Sequence, residues 1–231
     1  MNEPRRVFLF TCVCTMALAG CMDDPVATMA EADSPPAAAA TVALEPQLPQ
    51  KLLELVAPIA LYPDVLVAQM LIAATHPAEI SHAGVWLEQA PSADAAQLAQ
   101  AVDNQPWSPD IKALTLLSPV LDALNRNYAW TVALGEAYAE EPTQVLRAVQ
   151  ALRHKAQAAG KLAATGAQLV INDGDTILIE PADPRRASVP GGKAYDIATF
   201  ERFDWGWHSW ALDWRHGAVM YQDAPLLAEA D

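Results

Sequence analysis

The stretch Leu52–Leu87, LLELVAPIALYPDVLVAQMLIAATHPAEISHAGVWL, decides the fold. From Val65 to Ala74 only Gln69 is polar, and a helix that is apolar on nearly every side belongs at the centre of a core. Upstream, Leu52, Leu53, Val56 and Ile59 recur at helical spacing, and Pro58 bends or ends that helix. Tyr62-Pro63-Asp64 reads as a turn, with Pro63 preset for the first position of the next helix, Val65 to about Thr75. Leu52–Ala74 is long enough to suggest a membrane span, but Glu54, Asp64 and two prolines argue against it. Pro77 restarts a helix through Ala83, Val85, Trp86 and Leu87.

Working outward, the same start signals repeat. Ser92 is expected to cap a helix through Leu98 and Val102, with Asp94 in its first turn where the helix dipole favours it. Ser108-Pro109 and Ser118-Pro119 each pair a cap with a first-turn proline and open short helices carrying Ile111, Leu114 and Leu117, then Val120, Leu121 and Leu124. Trp130, Leu134, Ala137 and Tyr138 continue the periodicity. Pro142 opens the last helix, with Val145, Leu146, Val149 and Leu152 inward and Arg147, Arg153 and Lys155 outward, and Gly160 as its C-cap. About seven short helices result, with no repeat of solenoid length. Then Leu169–Ile171 and Thr176–Ile179 flank Asn172-Asp173-Gly174-Asp175, a hairpin signal. Phe200–Tyr221 holds Trp205, Trp207, Trp210 and Trp214, four of the chain's seven tryptophans, and Ala224–Asp231 reads as a loose tail.

The N-terminus points to a compartment. Arg5 and Arg6 precede an apolar run, Val7–Ala19, too short to span a bilayer, which is the layout of a secretory signal peptide. It ends in Leu18-Ala19-Gly20-Cys21, which resembles the bacterial lipobox, so Cys21 is the expected lipidation site. The lipobox resemblance implies three acyl chains, and two suffice for stable anchoring. Met22 follows Cys21, so the commonest inner-membrane retention signal, an Asp there, is missing, and the outer membrane is the expected location. The formal charge is −14; loss of Glu3, Arg5 and Arg6 with residues 1–20 leaves 27 acidic and 12 basic residues, or −15. Such a balance argues against nucleic acid and anionic lipid surfaces as partners.

The expected class is mainly α, a multi-helix globular domain with a small β-hairpin and a Trp-rich C-terminal segment. Its parts are a signal peptide (1–20), a flexible Ala/Pro-rich tether (21–48), a helical domain (49–162), a hairpin appendage (168–190) and the Trp-rich segment (191–231). The tether composition cannot bury enough apolar surface to offset its ordering entropy.

Several strings resemble one bacterial envelope family, catalogued as domain of unknown function 3300. They are Leu55–Asp64 (LVAPIALYPD), Gln69-Met70-Leu71, Trp86-Leu87, Gln105-Pro106-Trp107, Pro119-Val120-Leu121, Ala148–Arg153 (AVQALR) and Ile179–Pro184 (IEPADP). The resemblance covers most of Leu52–Pro184, and the Trp-rich segment is similar more loosely. After Pro184 the family usually continues with a Tyr-Val-Pro, Tyr-Asp-Pro strand; here Arg185–Pro190 stands instead, and only Val189-Pro190 fits. The resemblance implies a fold and a location, and no mechanism.

Candidate chemistry is sparse. Glu79 and His82 share the Glu-x-x-His spacing of di-iron bundles, but no second copy exists and His76 projects from a different face; a capping His76 and a solvated Glu79–His82 face are expected. Asp213 and His216, with Asp204 and His208 nearby, can share a metal or form an acid–base pair, or serve as polar handles around an aromatic cluster. Trp205, Trp207, Trp210 and Trp214 are candidates for stacking on cell-wall sugar rings. Asp64 is either a turn residue or a buried functional acid, and Pro58, Tyr62, Pro63, Asp64, Trp86 and Trp107 are read as structural. There is no nucleophile elbow and no phosphate-cradling glycine loop. The leading expectation is a membrane-anchored, non-enzymatic envelope lipoprotein that binds a protein or peptidoglycan or acts structurally, without a cofactor. The alternative is a metal-dependent, hydrolase-like enzyme using Asp213, His216 and His208.

Overall fold

The computed structural model describes residues 48–90, 94–189 and 194–226, so Cys21, the signal peptide and the tether up to residue 47 lie outside the described residues. Among the described residues are eight α-helices: α1 (Gln50–Val56), α2 (Asp64–Thr75), α3 (Pro77–Gln89), α4 (Ala95–Asp103), α5 (Pro109–Thr115), α6 (Ser118–Arg126), α7 (Tyr128–Glu140) and α8 (Pro142–Ala158). The class is mainly α, as the periodicity predicts. α2 is the centre: Leu66 through Ala74 are all buried, so the all-round apolar pattern means an all-round neighbourhood. α7 crosses it closely at Gly135, where a Cβ would overlap the Ala74 carbonyl. Among the described residues no helix is long and apolar enough to cross a membrane.

The caps follow the expected prolines with three corrections. Pro63 takes the N-cap of α2 and Asp64 its first helical position, one residue later than the turn reading placed them. Asp94 caps α4, its carboxylate accepting the Gln97 N–H at 2.8 Å; Ser92, the expected cap, lies outside the described residues. Ser118 stands inside α6, whose N-cap is Leu117, because Pro119 tolerates the second position as well as the first. Gly160, at φ +66°, ends α8 as predicted, with the Lys161 N–H donating to the Ala156 carbonyl.

The β structure is richer than the one hairpin expected. β1 (Gln168–Asp173) and β2 (Thr176–Pro181) form that hairpin, antiparallel, with Asp173 opposite Thr176. β3 (Arg186–Ser188) pairs with β4 (Ala194–Asp196), in the stretch where the family strings break off. β5 (Trp210–Asp213), β6 (Ala218–Tyr221) and β7 (Ala224–Leu226) form an antiparallel sheet with β6 in the middle. Ala224–Leu226 is therefore a strand rather than part of a loose tail. Trp210 and Val219 join the same buried core as α2 and α7, and the Tyr138 hydroxyl of α7 accepts the Val219 N–H at 3.2 Å. The Trp-rich segment is thus built into the helical body.

Candidate functional site

Asp64 and Arg153 carry the organising contact. Arg153, expected to point outward, is fully buried, and its guanidinium is surrounded by acceptors from two separate segments, Ala60–Asp64 and β2. Nη1 donates to Asp64 Oδ1 at 2.6 Å and to the Ile177 carbonyl at 2.7 Å; Nε reaches the Ala60 carbonyl at 2.8 Å and Nη2 the Tyr62 carbonyl at 3.0 Å. The α1–α2 connection cannot satisfy its own carbonyls within a helix, and a planar five-donor fork on α8 does so. Burial pulls the Arg153 pKa below its ordinary value, and the Asp64 charge pulls it back up.

Asp64 is equally occupied. Its Oδ1 also accepts the Ile179 N–H of β2 at 3.1 Å, and its Oδ2 accepts the Trp214 indole N–H at 2.8 Å. The Trp214 ring lies over the Arg153 guanidinium, 4.9 Å from carbon to centroid. One carboxylate and one guanidinium therefore join the helical body, the hairpin and the Trp-rich segment. Gln150 extends the pattern, exchanging two hydrogen bonds with Ile177. The free edge of β2 is thereby capped by side chains at Ile177 and Ile179.

Two clefts flank this contact, and Trp214 lines both. The first, of about 350 Å³, lies between β2 (Leu178–Pro181) and β5 (Trp210–Leu212), with Pro184 and Trp207 completing its wall. The second, of about 560 Å³, is bounded by α8, the β1–β2 turn and the β5–β6 turn. The four tryptophans divide accordingly. Trp205 and Trp210 are buried, Trp205 donating to Asp103 Oδ1 at 2.8 Å and Trp210 to the Trp205 carbonyl at 3.2 Å. Trp207 and Trp214 are half-buried and line the first cleft.

The tail's Asp and His residues form two separate pairs. Asp213 meets His216 at 2.6 Å, and His208 meets Glu201 at 2.5 Å. Asp213 Oδ1 also accepts the Arg215 and His216 N–H groups, both at 3.0 Å, and Gly217 follows at φ +68°. This is the hydrogen bonding of an Asx-type turn closing β5 onto β6. The His216 amide bonded to it, more than the imidazole, holds the Asp213 carboxyl below the usual range. Among the described residues no three His, Cys, Asp or Glu side chains converge to hold a metal.

The remaining candidates are dispersed. Glu79 faces inward rather than to solvent, its Oε2 accepting the Ser108 N–H at 2.8 Å and hydroxyl at 2.9 Å, while His76 and His82 are exposed. His76 stands between α2 and α3 without a side-chain capping bond. Trp86 and Trp107 meet edge to face, centroids 5.4 Å apart. Pro63 is buried, and Pro58 and Tyr62 border another cleft of about 350 Å³ beside Trp130. Two buried acceptors have no hydrogen-bond partner among the described residues: Gln69 Oε1, the one polar residue of the Val65–Ala74 run, and Asp110 Oδ2, which the sequence reading does not single out. Burial raises the Asp110 pKa to about 6, with His76 opposing the rise. The all-apolar run around Gln69 signals its burial, whereas Asp110, after Pro109 at a helix start, reads as an ordinary first-turn acid.

The model of a family described as a protein of unknown function, DUF3300, matches residues 48–224. The chain belongs to the DUF3300 family. The match takes in Asp64, Arg153 and Trp214 together. The chain is also similar to an uncharacterized protein, YacH, of Escherichia coli (strain K12), 37% identical over 116 residues, which is 50% of this chain. It spans only 19% of that relative's length. No solved structure matches the chain.

Proposed function

We propose that this DUF3300 chain is a non-enzymatic binding module of the bacterial cell envelope, anchored through lipid on Cys21 and extending from the outer membrane on its tether. The ligand it is suited to is a cell-wall glycan, taken in the cleft between Trp207 and Trp214. The observation that carries this reading is the division among the tryptophans. Trp205 and Trp210 are buried, while Trp207 and Trp214, the latter held by Asp64, keep surface beside proline and leucine in a cleft of about 350 Å³. That volume lies within the roughly 300–1,000 Å³ typical of small-ligand sites. Indole faces stack on the apolar faces of sugar rings, and exposed Glu180 offers an acceptor for hydroxyl groups. A protein partner that adds a strand is less suited to this place, because Gln150, Arg153 and Asp64 already occupy the edge of β2.

The test uses the full chain carrying Cys21→Ser, with isolated peptidoglycan and with chitotriose. Retention on peptidoglycan and saturable chitotriose binding, both weakened tenfold or more by Trp207→Ala in a variant that still unfolds cooperatively, are expected. Absence of binding to either, or equal binding by Trp207→Ala, overturns the reading. Radiolabelled palmitate on wild-type protein and none on Cys21→Ser tests the anchor.

A further inference from the structure

The second cleft has a different chemistry from the first. Arg147 of α8 and Arg215 of the β5–β6 turn both line it, brought together from distant parts of a chain that has twice as many acids as bases. Neither guanidinium forms an ion pair among the described residues, although acidic side chains are abundant. Both are exposed at the cleft, and the acid that borders it is Asp175. His154, also in the wall, bonds through Nε2 to the Asp175 carbonyl at 2.8 Å, which fixes the ring at the edge of the space. Thr143 and Gln144, at the first turn of α8, add polar groups on the opposite side. Trp214 supplies an aromatic wall held in place by Asp64 and Arg153.

We infer that this cleft is a second ligand site, for an oxyanion carried on a sugar ring, with Arg147 and Arg215 as its anion-binding pair and Trp214 as its aromatic wall. Arginine is suited to the task because its planar fork meets a carboxylate or phosphate with two parallel hydrogen bonds. An acidic protein repels anionic ligands at long range, so two convergent cations in one cleft select a local anionic group instead of collecting polyanions in general. A volume of about 560 Å³ admits a substituted sugar rather than a bare ion. The site shares Trp214 with the Trp207 cleft, but Arg147 and Arg215 line this cleft alone, so it stands whether or not the Trp207 cleft binds glycan.

Carboxylate and phosphate present the same chemistry to this pair, and the probes separate their sources. Calorimetric titration of the full chain carrying Cys21→Ser is made with N-acetylmuramic acid, with glucose 6-phosphate and with neutral N-acetylglucosamine. Binding of at least one acidic sugar is expected, with affinity falling as salt rises. Arg147→Gln/Arg215→Gln is expected to weaken it tenfold or more, with N-acetylglucosamine binding no tighter than the acidic sugar. The acid that binds identifies the source. Arg147→Lys/Arg215→Lys keeps the charges without the fork and is expected to fall in between. Overall fold in both double variants is checked by unchanged thermal unfolding, since these exposed side chains hold no hydrogen bond among the described residues. Failure of both acidic sugars to bind, or binding indifferent to the loss of both arginines, overturns the inference.

Discussion

Two carboxylates that look alike in the sequence, Asp64 and Asp110, end in opposite situations. Each follows a proline at the start of a helix, Pro63-Asp64 for α2 and Pro109-Asp110 for α5. Asp64 is met by a guanidinium, an indole N–H and a backbone N–H, using both oxygens. Asp110 is buried with one oxygen unpartnered among the described residues and a pKa raised to about 6. The helix-start signal is satisfied equally by both. What separates them is the partner that distant chain brings, and a buried charge is tolerable only with such partners.

The largest way to break the comparison is to remove the partner from Asp64. Arg153→Ala takes the cation away from Asp64 and a donor away from the Ala60, Tyr62 and Ile177 carbonyls, and is expected to cost about 3–5 kcal/mol of stability in urea unfolding. Asp110 is expected to behave in the opposite sense. Its folded pKa, about 6, lies above its unfolded value, so the folded state binds more protons between roughly pH 4 and 6. Stability gained at low pH through this group is therefore lost as pH rises through that window, by about 2–3 kcal/mol. Asp110→Asn is expected to flatten the profile there, which unfolding at a series of pH values checks. His76, Glu79 and Tyr221 also act electrostatically near this group and are kept in place in that experiment.

A smaller effect sharpens the role of the turn that delivers Trp214 to Asp64. Gly217 has φ +68° and a Cβ there would crowd Thr143, so Gly217→Ala is expected to cost about 1–3 kcal/mol, read as a lowered unfolding midpoint. The smallest belongs to Trp207, which lines a cleft and touches neither carboxylate through its indole nitrogen. Trp207→Ala, at a half-buried position, is expected to lower stability by about 1 kcal/mol while weakening glycan retention tenfold or more, measured side by side on one preparation.

Helix periodicity, proline and the hairpin turn were enough to read the helical class, the central position of α2 and the β1–β2 pair. The string YPD and the string AVQALR were both visible, yet nothing local says that Arg153 turns inward to meet Asp64. At helical spacing it falls on the stripe of Leu146 and Val149, yet an arginine near the end of a helix is ordinarily solvated, and its burial is explained by distant acceptors, Asp64 and the carbonyls of Ala60, Tyr62 and Ile177. The C-terminal sheet was obscured for a different reason. Its strands are three or four residues long, too short for a clear alternation. The β6–β7 turn places Gln222 and Asp223 at positive φ, 49° and 61°, without the glycine that usually announces such a turn. Asp213 and His216 were read for their acid–base chemistry, whereas Asp213 followed by Gly217 is also a turn signal, and the turn is what the backbone forms.

The central claim is that Asp64 and Arg153 act as one unit joining helices, hairpin and Trp-rich segment. Urea unfolding at pH 7 of Asp64→Asn, Arg153→Met and the double variant tests it most directly. The account predicts that each single change is strongly destabilising and that the double variant costs less than their sum, with a coupling of about 2 kcal/mol or more. Additive losses would contradict it.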